Sequence, residues 1–143
     1  MTTGASWREA PYALTVLRAP EGIADVRALR LEEATAAFQA RGYERTQTAD
    51  LSLDPGEHTT RPVQVPPGRC VAIAAAGDAD VEDLDLFLRT ADGQLVASES
   101  GPAPWAAVSR CVDAGDAPES LELEVVMYRG GGDVTLARLE GAP

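Results

Sequence analysis

The chain has 143 residues, 45% of them apolar, and a formal net charge of −11 from 23 acids against 12 bases. That length suits one domain, or a smaller domain with an appendage, with enough apolar residues for a sizeable core. All the bases are arginine, lysine is absent and no contiguous basic patch occurs, which disfavours binding to phosphate backbones and to anionic membrane surfaces.

Asparagine is absent too, which removes any N-glycosylation acceptor. No segment has the length of a membrane span, so membrane insertion is not expected. The first residues lack the basic start and long apolar core of a signal peptide. The protein is therefore either cytoplasmic or a piece of a longer secreted precursor.

Taken in order, Tyr12 to Leu17 is a short strand-like run between Pro11 and Pro20. Its leucines match Val134 to Leu139 in register, Leu14 with Leu136 and Leu17 with Leu139, a pattern that fits a tandem array. The segment is expected to pair as an edge strand, on its own sheet or on a neighbouring copy. Residues 21–42 are expected to be helical, with Gly42 as a left-handed cap and Tyr43 placed for the accompanying apolar contact. Ile23, Val26, Leu31, Ala34, Ala37 and Phe38 share one side of that helix, and Arg27 and Arg30 intrude on it.

From Thr48 onward the texture changes to short strands and turns. Leu51 and Leu53 precede the Asp54-Pro55-Gly56 turn, and Val63 and Val65 precede Pro66-Pro67-Gly68. Cys70 to Ala76 is a strand of small residues. Val81 to Val96 is a hairpin: Leu84, Leu86 and Leu88 fall on one face, Asp85, Phe87 and Arg89 on the other, and Ala91-Asp92-Gly93 makes the turn. Trp105 to Val112 is a further strand. Leu121, Leu123, Val125 and Met127 alternate with Glu122, Glu124, Val126 and Tyr128, the pattern of a half-buried strand. Three glycines turn it into Val134 to Leu139. The chain therefore divides into an N-terminal strand-and-helix appendage, 1–47, and a domain at 48–143. The expected class is mainly β: an antiparallel, jelly-roll-like β-sandwich of seven to eight strands with one N-terminal helix.

Two cysteines, Cys70 and Cys111, are either one bridge or two buried thiols; their count does not decide. The sole histidine, His58, sits in what reads as an exposed turn, away from any nucleophile motif, so no enzyme is expected. The acidic run Asp78, Asp80, Glu82, Asp83 and Asp85 is the candidate ligand site, with Asp78, Asp80 and Asp83 as calcium ligands on a flexible loop. The competing readings are a solvated turn that blocks edge pairing, or Asp83 and Asp85 pointing into the sheet end and bonding backbone amides. Tyr128 and Trp105 are the candidate partner contacts, although a tryptophan at a strand start also serves as a core plug.

Three segments together resemble the bacterial pre-peptidase C-terminal domain, over about residues 48–140. They are Pro67-Gly68-Arg69-Cys70 leading into a strand, Asp83-Leu84-Asp85-Leu86-Phe87-Leu88 with its Asp92-Gly93 turn, and Val125-Val126-Met127-Tyr128-Arg129-Gly130 followed by Gly132-Asp133-Val134-Thr135-Leu136. The resemblance implies a jelly-roll-like sandwich in a secreted or cell-envelope multidomain protein, a non-catalytic accessory module binding a protein or polysaccharide, and in some members calcium. It also implies an oxidising compartment, and so a Cys70–Cys111 bridge. The helix at 21–42 lies outside the family pattern. It suggests the alternative of an assembly subunit that docks on neighbouring copies through its N-terminal strand and helix.

Overall fold

The computed structural model describes residues 26–143. The expected N-terminal strand and the first residues of the expected helix lie outside that range. In chain order the elements are α1 (Val26–Ala40), β1 (Glu44–Leu53), β2 (His58–Val65), β3 (Arg69–Gly77), β4 (Val81–Thr90), β5 (Leu95–Glu99), β6 (Trp105–Val112), β7 (Glu119–Gly130) and β8 (Gly132–Gly141). The strands form two four-stranded antiparallel sheets, β1-β8-β3-β6 and β2-β7-β4-β5. The mainly β sandwich with one helix is thus the fold. Its first strand starts at Glu44, ahead of Thr48, with Glu44 opposite Glu140.

The alternation expected from the sequence places the core. Leu84, Leu86 and Leu88 of β4 stand opposite Met127, Val125 and Leu123 of β7, and all six are buried. Val71, Ile73 and Ala75 of β3, with Val134 and Leu136 of β8, face them from the other sheet. Side chains pointing to one face recur at every second residue, so each strand delivers an unbroken apolar row to the space between the sheets.

The first sheet is buried on its outer face as well. Cys70, Ala72, Ala74 and Ala76 of β3, with Ala137 and Leu139 of β8, pack there with Leu31 and Ala34 of α1 and with Tyr43. Alanines suit that face because a short side chain lets a helix lie close to a sheet without a gap. The helix side differs in detail from the sequence expectation. Ala37 is exposed, and Thr35 is buried in its place, its hydroxyl donating to the Leu31 carbonyl at 2.9 Å. That bond satisfies the hydroxyl inside the helix and makes its burial tolerable.

The helix ends as its sequence predicts. Gly42 takes φ +91°, Tyr43 N donates to the Phe38 carbonyl and Gly42 N to that of Gln39, both at 3.0 Å. The Phe38 and Tyr43 rings meet with centroids 5.3 Å apart. This is a Schellman cap with its apolar contact. The intruding Arg30 has a specific role: one guanidinium nitrogen donates to the carbonyls of Gly77 (3.0 Å), Asp78 and Val81 (3.4 Å), tying α1 to the β3–β4 loop. Among the described residues no helix is long and apolar enough to cross a membrane.

Candidate binding face

With α1 on the outer face of the first sheet, the outer face of the second is the one that no helix covers among the described residues. β2, β7, β4 and β5 contribute to it the polar half of their alternation. Strand register sets who meets whom. Thr60 lies opposite Glu124, Glu124 opposite Phe87, and Phe87 opposite Ser98, so one row crosses all four strands.

Glu124 organises that row. Its carboxylate accepts from Arg89 Nη1 at 2.7 Å, and its second oxygen lies 3.1 Å from His58 Nδ1. Arg89 in turn lies over the Phe87 ring, 5.3 Å from its centroid. A carboxylate held by groups on two neighbouring strands fixes three long side chains in one arrangement before any ligand arrives. Gln64 and Ser120 add a 2.9 Å hydrogen bond across β2 and β7. Tyr128, 64% exposed, stands on β7 beyond Val126.

The acidic run divides among several roles. Asp78 turns its carboxylate to backbone amides, accepting from Asp80 N at 3.1 Å and Asp133 N at 2.9 Å. It thereby pins the β3–β4 loop to the start of β8, the amide-bonding alternative carried out by a different aspartate from those expected. Asp80 is exposed. Asp83 and Asp85 are both buried on the outer side of β4, and one carboxyl oxygen of each has no hydrogen-bond partner. Burial first, and then the Asp83 carboxyl as hydrogen-bonding group and as neighbouring charge, push the Asp85 carboxyl up to about 6. Among the described residues no group of three or more histidines, cysteines or carboxylates is arranged to hold a metal ion.

Cys70 and Cys111 are bridged, directly opposite each other on β3 and β6. Trp105 is half-buried and packs on the alanine layer beside α1, whereas Tyr128 faces solvent. The sequence puts Glu124 on the polar side of its strand but reads His58 as part of a turn, and it does not join the two. His58 is the first residue of β2, and its partner Glu124 is far along the chain. Phe87 and Arg89 were on the correct face, but the link to Glu124 needs the β4–β7 register.

No protein-family model and no curated protein matches the sequence. Solved structures do match the fold. The periplasmic inhibitor of g-type lysozyme from Aeromonas hydrophila aligns with a TM-score of 0.50 and 10% identity, over 71% of this chain and 90% of that one. The pre-peptidase C-terminal domain of Bacillus anthracis collagenase aligns with a TM-score of 0.51 and 16% identity, over 66% of this chain and 88% of that one. At these identities the likeness is one of architecture, and the chain has the β-sandwich fold of the pre-peptidase C-terminal domain.

Proposed function

We propose that this chain is a non-catalytic accessory module of a secreted or cell-envelope protein, and that it holds a polysaccharide or protein partner on the outer face of its second sheet. The observation that carries this reading is the Glu124 carboxylate, joined to Arg89 and His58 across three strands on the one sheet face that no helix covers among the described residues. Tyr128 supplies an exposed ring further along β7 on the same face. The bridged cysteines support an oxidising compartment. A non-catalytic role is supported by the disulfide, which leaves neither cysteine as a thiol nucleophile.

Co-sedimentation tests the reading, using insoluble cellulose, chitin, peptidoglycan and collagen fibres as probes. Retention on at least one class, lost on Glu124→Ala or Arg89→Ala with folding intact, is the expected result. Failure on all four, or retention indifferent to both substitutions, would remove the face from the account. A second reading, assembly through the N-terminal segment and α1, is favoured by Leu29, 60% exposed on the helix. It requires the molecular size to rise with concentration, whereas the accessory module stays monomeric.

A further inference from the structure

The two cysteines of the disulfide are unequally exposed. Cys70 is fully buried on β3, an inner strand flanked by β8 and β6. On its β8 side it stands opposite Gly141. The Tyr43 ring lies so close over Gly141 that a Cβ there would come within 2.6 Å of it. Cys111 is exposed on β6, which is an edge strand among the described residues. It lines a surface depression of about 320 Å³ with Arg110, Asp113, Asp116, Pro118 and Glu119.

Thiol–disulfide exchange proceeds when a thiolate attacks one sulfur along the S–S axis and expels the other, so access to each sulfur decides the product. The approach to Cys70 is blocked by β8 and Tyr43. The approach to Cys111 comes from solvent. We propose that Cys70–Cys111 is a thiol-exchange site whose reacting sulfur is Cys111, open to the thiolate of a neutral or positively charged partner such as a dithiol oxidoreductase with a basic rim.

The charge preference follows from the acidic residues around the β6–β7 turn and from the net charge of −11. Arg110 is held bidentately by Glu119, at 2.8 and 3.0 Å, which leaves Asp113 and Asp116 to set the local sign. An anionic thiol is repelled there and a cationic one attracted. In the first step the incoming thiolate forms a mixed disulfide with Cys111, and Cys70 leaves as a thiolate that takes up a proton. The partner's second thiol, as thiolate, then attacks its own sulfur in that mixed disulfide. Cys111 is released as a thiolate, and the partner is oxidised to a disulfide. Backbone pairing of β3 with β6 runs from Arg69 to Ala76, so the edge strand stays in place without the bridge.

The test treats the native protein with cysteamine and, separately, with glutathione at matched thiolate concentration, followed by acid quench, alkylation and peptide mapping. The adduct is expected on Cys111, formed several-fold faster by cysteamine, with the difference shrinking in high salt and near-ultraviolet circular dichroism retained. An adduct on Cys70, opening only at the rate of global unfolding, or equal rates for the two thiols at low salt would overturn the proposal. Single-cysteine variants give an independent arm. In Cys70→Ala, Cys111 should react with an aromatic disulfide reagent in the native state; in Cys111→Ala, Cys70 should stay silent until denaturant is added. The reverse order of reactivity would contradict the assignment.

Discussion

At the scale of single residues, the aspartates of β4 carry the clearest pH dependence. The Asp85 carboxyl titrates near 6 in the folded chain, above its ordinary value of 3.8. A raised carboxyl pKa favours the protonated form in the native state. Its stabilising contribution is therefore complete below about pH 4 and is lost as pH rises through about 6. Asp85→Asn keeps the hydrogen-bonding shape without the charge. It should raise unfolding free energy at pH 7.5 by about 1 kcal/mol, a like-charge contact discounted for solvent, and flatten the pH profile between 4 and 6. Urea unfolding at pH 4.5 and 7.5 reads both quantities; identical pH slopes in the two proteins would contradict this account of the pair. A second residue-scale expectation concerns Asp78. Its carboxylate is occupied by two backbone amides, so millimolar calcium should leave the melting temperature unchanged, and a calcium-dependent rise abolished by Asp78→Ala would refute that.

At the scale of elements, the docking of α1 depends on the alanines of β3. Ala74 is fully buried beneath the helix, with no space for a larger side chain. Ala74→Leu should overpack that layer and cost about 2 kcal/mol, with protease cleavage appearing within α1 before the sandwich unfolds. Unchanged protease resistance would mean that the helix adapts without strain. The strands themselves were legible from sequence because each presents one apolar and one polar side, and period two is hard to mistake when Leu84, Leu86 and Leu88 repeat it. The cap was legible for a similar reason, since Gly42 and Tyr43 sit at fixed offsets from the helix end. The start of β1 was not. Glu44 to Gln47 are polar side chains at the sheet's edge, and what makes them a strand is pairing with β8, which local sequence does not record. Ala37 and Thr35 exchanged places for a related reason: on a helix rich in small residues, burial depends on the sheet below more than on side-chain polarity.

At the scale of the whole molecule, the chain is a three-layer body with two different outer surfaces. One is the helix side, closed by alanine packing and the Arg30 clasp; the other is the open polar face of the second sheet. The open face shows what one sequence can and cannot reveal. Its members lie on outward positions that alternation identifies, but its organising contact joins His58, Arg89 and Glu124 from three strands through inter-strand register. The acidic run, conspicuous in sequence, separates in space into a loop pin and a buried pair.

The central claim, that the second sheet's outer face binds the partner, is tested most directly by a matched pair of exposed substitutions. Tyr128→Ala removes an exposed ring further along β7 on the same face as the Glu124 row, and Leu29→Ala removes an exposed side chain on the helix side. Both leave the core untouched. On whichever insoluble polymer retains the wild type, Tyr128→Ala should weaken retention about tenfold, the order expected for a stacking contact of ~1–1.5 kcal/mol, and Leu29→Ala should leave it unchanged. Loss of retention with Leu29→Ala and not with Tyr128→Ala would place the contact on the helix side and contradict the account.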